Sequence, residues 1–356
     1  MSGQDTAPRS AREGSQEDSR EGGGRGAGGG GMAKVAVIGA GAWGTALALQ
    51  ALRAGGEVSL WAREASRAQA MHALRENARH LPGAPLPHAL SVTADAHAAL
   101  QGAGLAVLAV PTQHLGAVLD RLGPLPPSLV VAKGVESGTL RFPLEILAHA
   151  RPDLHAAVLS GPNFAHEVAQ GLPAAAVLAG TDPALREAAV DRLSSPTFRV
   201  YAGTDPLGVQ VAGAAKNVAA IAAGAVMGAG LGENARAALV TRCLAEIARL
   251  VVALGGRADT VAGLSGLGDL MLTCAGAGSR NFSLGFALGR GEAAAEVLGG
   301  RQSVTEGVAT APALLARAAR AGVELPVCAA VAAVLEGTLA VGEAVDRLMG
   351  RPARSE

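Results

Sequence analysis

Apolar positions in the first half of the chain come in short continuous runs, and in the second half at helical spacing. Residues 35–38 form one such run, as expected of a strand buried on both faces. Glycine-rich residues 39–44 follow, and 45–52 read as a helix whose first turns carry small side chains. Gly55 and Gly56 close that helix, and 57–61 make the next strand. Further strands are predicted at 105–110, 129–132, 156–160 and 198–201, and no strand signal follows Tyr201. From Asp205 onward the chain turns alanine-rich, with helices predicted near 206–228, 233–255, 281–290, 305–321 and 326–350. The pattern divides the chain into an α/β domain over 32–203, an all-helical domain over 204–350 and a tail at 351–356. A single continuous domain whose composition shifts midway is the alternative.

Residues 1–31 stand apart, being Gly, Ser, Arg and Glu with almost nothing apolar. Such a stretch cannot bury enough surface to offset its ordering entropy, and it lacks the apolar middle of a secretory signal. Met32, just ahead of the first strand, is expected to be the natural start and 1–31 a mis-called or dispensable disordered extension; a genuine disordered tail is the alternative.

The turn after the first strand is Gly39-Ala40-Gly41-Ala42-Trp43-Gly44, a GxGxxG set between strand and helix. In that context the glycines allow a tight turn and let backbone amides reach a pyrophosphate at the helix N-terminus. The first half is therefore expected to be a dinucleotide-binding domain. At the end of the second strand stand Arg63 and Glu64. An arginine there suits a 2′-phosphate and favours NADPH, whereas an acid suits the ribose hydroxyls of NADH, so NADH stays open. Pro111-Thr112-Gln113, Lys133 and Gly161-Pro162-Asn163 all follow strands, and strand ends are where open α/β sheets hold ligands.

Charge adds a second clue. Lys and Arg together number 30, yet only Lys34, Lys133 and Lys216 are lysines. Arginine stays protonated, whereas a desolvated lysine can lose its proton and return it. Lys34 opens a strand and reads as surface charge; Lys133 and Lys216 lie among small residues, where packing has little use for a long side chain. Composition excludes other classes. The chain is formally neutral with 2% aromatics, which argues against nucleic acid and anionic membranes. No uninterrupted apolar run approaches the roughly 18–20 residues of a membrane span. Cys243, Cys274 and Cys328 lack CxxC spacing and the histidines form no HxxxH pair, so neither disulfides nor a metal site is predicted. The balance predicts a soluble, reduced, cytoplasmic protein.

The ordered set of blocks resembles the bacterial NAD(P)-dependent glycerol-3-phosphate dehydrogenases. It comprises residues 39–45, 110–113, 133–136, 160–165, 215–217, 234–239, 266–274 and 279–281. The resemblance runs from Val35 to about residue 350. It implies a Rossmann-type α/β domain followed by an all-α domain, a 6-phosphogluconate-dehydrogenase-like build. It further implies reversible reduction of dihydroxyacetone phosphate to sn-glycerol 3-phosphate, a phospholipid precursor, by a homodimer. By the same carry-over Lys216 supplies the proton to the alkoxide, and Lys133 stands near the same oxygens. Asp269 holds a lysine and substrate hydroxyls, with Asn217 and Thr273 as polar supports. Two close ammonium groups are expected to depress each other's pKa toward the working pH. Gly161 and Asn163 line the substrate pocket, and Ser279, Arg280 and Asn281 grip the phosphate at a helix start. Gly39, Gly41, Ala42, Trp43, Gly44, Arg63, Lys133, Ala165, Arg280, Val304 and Glu306 meet the cofactor.

Three departures stand out. Gln210 replaces an expected acid, leaving a charge partner in question; Asn163 replaces Ser or Thr; and 275–278 is a looser loop than the family's polar one. Cys274 reads as a buried small residue, since no histidine motif accompanies it. The competing readings are a related hydroxy-acid or ketopantoate-type dehydrogenase and a catalytically silent NADPH-binding sensor.

Overall fold

The structure is a computed structural model that describes residues 33–299 and 305–352. The expectations for residues 1–31, for Met32 and for Val304 lie outside the described residues.

The first half alternates strands and helices. The order is β1 (Lys34–Ile38), α1 (Ala42–Arg53), β2 (Val58–Trp61), α2 (Ala65–Leu74), β3 (Glu76–Asn77), β4 (Leu81–Pro85), β5 (Leu90–Thr93) and α3 (Ala96–Leu100). Then come β6 (Ala103–Leu108), α4 (Thr112–Leu119), β7 (Ser128–Val130), α5 (Pro143–Ala150), β8 (Ala156–Ser160), α6 (Ala165–Gln170), β9 (Ala174–Gly180), α7 (Pro183–Leu193) and β10 (Phe198–Gly203). Eight of the strands form one sheet in the order β10-β9-β8-β7-β6-β1-β2-β5, while β3 and β4 make a separate hairpin. Neighbours are parallel except β8 and β9. The strand order reverses at β1, with β2 on one side and β6 on the other, so a crevice opens at the carboxyl ends of β1 and β6. Val35, Val37, Ile38, Leu105, Val107 and Leu108 are fully buried, as a sheet covered by helices on both faces requires.

Among the described residues, only helices follow Gly203. They are α8 (Pro206–Gly228), α9 (Gly232–Ala253), α10 (Ala258–Ala262), α11 (Asp269–Cys274), α12 (Arg280–Gly289), α13 (Ala294–Gly299), α14 (Glu306–Arg320), α15 (Pro326–Leu335) and α16 (Val341–Met349). One predicted helix over 326–350 is thus two, broken where Gly337 takes a φ of 73°. The helix α8 is the axis of this half, buried from Gly208 to Gly224. It is long and apolar enough to cross a membrane by length and composition, the one such helix among the described residues, yet its apolar stretch lies mostly inside the protein. Polar Gln210, Lys216 and Asn217 interrupt it.

Close helix packing sets the site's dimensions. Gly224 and Gly228 of α8 face Gly285 and Gly289 of α12. A methyl on any of the four would collide with a carbonyl oxygen of the opposite helix. This spacing of small residues lets two backbones touch, and it brings the start of α12 beside the middle of α8. Gln210 also finds a place: its Oε1 accepts from the Leu144 N–H at the start of α5 (2.8 Å) and its Nε2 donates to the Pro206 carbonyl (3.0 Å). An amide therefore fills both hydrogen-bonding duties without a charge partner.

Candidate active site and dinucleotide turn

The turn after β1 is built for close approach. Gly39 has a φ of 115°, and a Cβ there would strike the Ala109 carbonyl at the end of β6. A Cβ on Gly44 would land on the Gly39 carbonyl oxygen, whereas one on Gly41 would meet nothing within 4 Å. Gly41 is the N-cap of α1 and offers no side chain to the first-turn amides. Two buried or half-buried donors, Arg67 Nη2 and Asn77 Nδ2, converge on the Ala40 carbonyl, the latter at 2.9 Å, and Asn77 also donates to Thr45 Oγ1 at 2.8 Å. The indole N–H of Trp43 is buried with no partner among the described residues. An open second glycine, uncapped helix amides and an orphaned indole donor are what a dinucleotide's pyrophosphate and polar groups require, so these residues fit such a cofactor. Arg63 lies at the end of β2 with its side chain 67% exposed and 3.5 Å from Glu64, accessible to a ribose phosphate.

The lysines meet over one carboxylate. Lys133 Nζ lies 2.6 Å from Asp269 Oδ2, and Lys216 Nζ lies 2.5 Å from Asp269 Oδ1. Lys133 also donates to the Gly161 carbonyl (3.2 Å), and Lys216 to Thr273 Oγ1 (2.8 Å), whose own proton goes to the Asp269 carbonyl (2.6 Å). Two hydrogens of each ammonium are thereby engaged, leaving one on each for a ligand. Gly213 makes room for this arrangement on α8, since a Cβ there would press on Ser160 Oγ and the Lys133 stem. Asp269 begins α11 directly after a π-helical turn, Leu264–Gly268. Such turns are rare and recur at functional sites.

Burial lowers the Lys216 pKa to about 8; Asp269 opposes the shift and the Lys133 charge adds to it. Desolvation is thus the larger cause, ahead of the charge repulsion expected from two neighbouring lysines. Cys274 lies nearby, and burial pushes its thiol up to about 12. All three cysteines are buried and unlinked.

Glu306 ties the helical half to both strand ends. Its Oε1 accepts from the Thr112 N–H (3.2 Å) and its Oε2 from the Lys133 N–H (3.3 Å). Burial raises its pKa, while those amides and the charge of Arg280 pull the other way. Arg280 is exposed at the start of α12; burial and the charges of Arg67, Arg79 and Arg280 lower the pKa of His80. Ser279 is the N-cap of α12, its hydroxyl accepting from the Phe282 N–H at 3.2 Å. Asn281 turns inward to Asn217 and Gly307. Asn163 donates to the Ala175 carbonyl (3.0 Å), and its buried Oδ1 has no partner among the described residues. Ala165 opens α6.

Lys133, Lys216, Asp269, Thr273, Gly161 and Asn217, expected from their motifs to share one site, stand together in the fold. No motif points to Arg67 or Asn77 behind the glycine turn. Asn77 is 1% exposed, and a buried amide 37 residues from its partner leaves no local pattern to read.

Comparison with known proteins agrees along nearly the whole folded chain. Residues 34–186 match the family described as NAD-dependent glycerol-3-phosphate dehydrogenase N-terminus, and 205–346 match its C-terminus. A Rhodospirillum rubrum protein named glycerol-3-phosphate dehydrogenase [NAD(P)+] is 52% identical over 326 residues, covering 90% of this chain and 93% of that one. A Caulobacter vibrioides protein of the same name is 50% identical over 327 residues, covering 91% and 98%. The crystal structure of glycerol-3-phosphate dehydrogenase from Coxiella burnetii superimposes with a TM-score of 0.86 at 37% identity, covering 90% of this chain and 99% of that one.

Proposed function

The chain belongs to the NAD-dependent glycerol-3-phosphate dehydrogenase family, and on that premise we propose that it reduces dihydroxyacetone phosphate reversibly to sn-glycerol 3-phosphate, with Lys216 as proton donor. One observation carries the assignment of roles: two lysines share a single buried carboxylate, and one of them, Lys216, is itself buried.

The residues that would hold the cofactor are Gly39, Gly41, Ala42, Trp43 and Gly44 at the turn, with Arg63, Lys133, Ala165, Arg280 and Glu306 around it. When bound, the nicotinamide supplies the hydride equivalent for C2 of the ketone. Reduction leaves negative charge on the C2 oxygen, which needs a proton and a positive environment. Lys216 directs its one uncommitted N–H at that oxygen and gives up the proton; in the reverse direction its neutral amine takes the proton back. A group with a pKa near 8 serves both directions close to neutral pH. Lys133 supplies the second positive charge. Asp269 fixes both ammonium groups, and Thr273 fixes Lys216 from the other side.

Arg280 and the first turn of α12 suit the substrate phosphate, because a guanidinium and a helix N-terminus both favour an anion. Ser279 supports that turn as its cap. Asn163 offers its unpaired Oδ1 to a substrate hydroxyl, beside Gly161. Arg63 favours NADPH over NADH by pairing with the 2′-phosphate. The reading carries with it a cytoplasmic homodimer, which light scattering tests.

The deciding experiment follows NADPH absorbance in the presence of dihydroxyacetone phosphate for the parent and for Lys216→Ala. Turnover in the parent and its loss in the variant are expected. A parent that binds NADPH tightly and turns over nothing overturns the reading and favours a cofactor sensor.

A further inference from the structure

The hairpin β3–β4 is fastened to the dinucleotide turn. Asn77, in its first strand, is buried and donates to the Ala40 carbonyl at 2.9 Å and to Thr45 Oγ1 at 2.8 Å. The His80 N–H closes the hairpin's turn on the Asn77 carbonyl at 3.1 Å, and Leu81 is buried just beyond it. Arg79 stands in that turn, close in sequence to the anchor, and its Nη1 lies 3.9 Å from Glu64 Oε2. Arg63 approaches the other oxygen of the same carboxylate, Nη2 to Oε1 at 3.5 Å. Two arginines from different parts of the fold thus share one exposed glutamate between β2 and α2. Their positive charge is felt further in. Burial lowers the Arg67 pKa, Glu64 opposes the shift, and the charges of Arg79 and Arg63 add to it. At His80, burial and the charges of Arg67, Arg79 and Arg280 act downward, again with Glu64 opposing. In a formally neutral chain, four arginine charges and one glutamate charge therefore bear on this short stretch.

We propose that Arg79 determines cofactor specificity: with Arg63 it clamps the 2′-phosphate of NADPH, and Glu64 is the carboxylate that this phosphate displaces. The proposal rests on the cofactor reading above, in which Arg63 meets that phosphate. Each guanidinium presents a fork of N–H donors that matches phosphate oxygens. A phosphate monoester carries about −1.5 to −2 charge near pH 7, more than the single charge of a carboxylate, so two arginines hold it the more strongly. Glu64 is easily released. Its two ion pairs are loose and lie between exposed side chains, and such pairs contribute little. Its backbone is fixed as the N-cap of α2, so only the side chain has to turn. NADH brings no such phosphate, and the same carboxylate then serves the ribose hydroxyls. Glu64 therefore acts in opposite senses on the two cofactors, whereas Arg79 acts on one alone.

The test is calorimetric titration of NADPH and of NADH into the full-length protein, with no ketone present. It compares the parent with Arg79→Ala, Arg63→Ala and Glu64→Ala. For Arg79→Ala, NADPH is expected to bind about tenfold or more weakly, as hydrogen bonds to a charged group imply, with NADH within about twofold of the parent. Glu64→Ala is expected to tighten NADPH by up to about fivefold, as for release of an exposed ion pair. The same variant is expected to weaken NADH by about twofold to tenfold through the lost ribose contact. All three side chains are exposed, so unchanged melting temperatures are expected and confirm that the variants fold. An Arg79→Ala protein that binds NADPH as the parent does, or that loses NADH equally, overturns the proposal. So does a Glu64→Ala protein that binds NADPH more weakly. The Arg63→Ala arm separates this failure from that of the cofactor reading. Preference for NADPH lost in Arg63→Ala and kept in Arg79→Ala removes the clamp alone; preference kept in both removes the reading beneath it. Neither result depends on which ketone the enzyme reduces.

Discussion

Because the chain has three lysines, the charge coupling at its centre can be watched directly. Labelling lysine at the ε-carbon gives three carbon resonances, each reporting one ammonium group. In the parent enzyme one of them is expected to titrate near pH 8 and to vanish in Lys216→Met. The informative perturbation is Lys133→Met, which removes a positive charge and leaves a chain of similar length. The two ammonium nitrogens touch different oxygens of Asp269 at 2.6 and 2.5 Å. They therefore stand no farther apart than roughly 7 Å, where unit charges repel by about 0.6 kcal/mol in water and about 2.4 kcal/mol at an effective dielectric near 20. That corresponds to an upward move of the Lys216 resonance by about half to two pH units. Burial, the larger cause, persists in the variant, so the group stays below its ordinary 10.5. A resonance that fails to move, or moves down, refutes the coupling through Asp269. A parent spectrum in which all three lysines titrate in the ordinary range refutes the buried amine itself.

Folding stability should respond to the same group. Below about pH 8 Lys216 is protonated in both states and the full cost of its buried charge is present; between 8 and 10.5 the unfolded chain keeps a proton that the folded one has released. Stability therefore rises with pH across that window by about 3 kcal/mol, a gain that denaturant melts should find in the parent and miss in Lys216→Met. Gly41→Ala is expected to leave the melting temperature unchanged, because its Cβ meets nothing, yet to weaken NADPH binding at least about tenfold by filling the space for the pyrophosphate. Gly44→Ala should instead lower stability by about 1–3 kcal/mol through its clash with the Gly39 carbonyl; calorimetry with and without cofactor separates the two. Cys274, with its thiol raised to about 12, and the other two buried cysteines should release no chromophore from an aromatic disulfide reagent until the protein is unfolded.

The elements that read easily are those whose environment is uniform. The predicted and observed bounds agree for β8 and for α8, because one is a pure apolar run and the other a long alanine helix. The strand β9, by contrast, reads Ala-Ala-Ala-Val-Leu-Ala-Gly, and alanine has no preference for strands; it is a strand because β8 and β10 pair with it on either side. The strand β5 has four residues and a half-polar face, too little for a periodic signal. Within the site, each motif is legible as a block, since chemistry demands particular residue types close together in sequence. The bonds that hold the blocks to one another are not. Lys133 is separated by 173 positions from Glu306 and by 84 from Asn217, and Asn217 by 64 from Asn281. No local pattern encodes such pairs. The π-helical turn before Asp269 is also invisible, since Leu-Ser-Gly-Leu-Gly permits many backbone conformations.

The glycine seam between α8 and α12 bears on how this protein can change over generations. Two stretches of chain well separated in sequence meet with only hydrogen atoms between their backbones. Neither side has slack that a new side chain on the other could take up, so no ordinary path of single substitutions leads away from the four glycines. Drift is left to the outward faces of the same helices. The distance from Lys216 to the start of α12, and with it the size of molecule that fits between them, is inherited as a fixed length while the surface around it remains at liberty to vary.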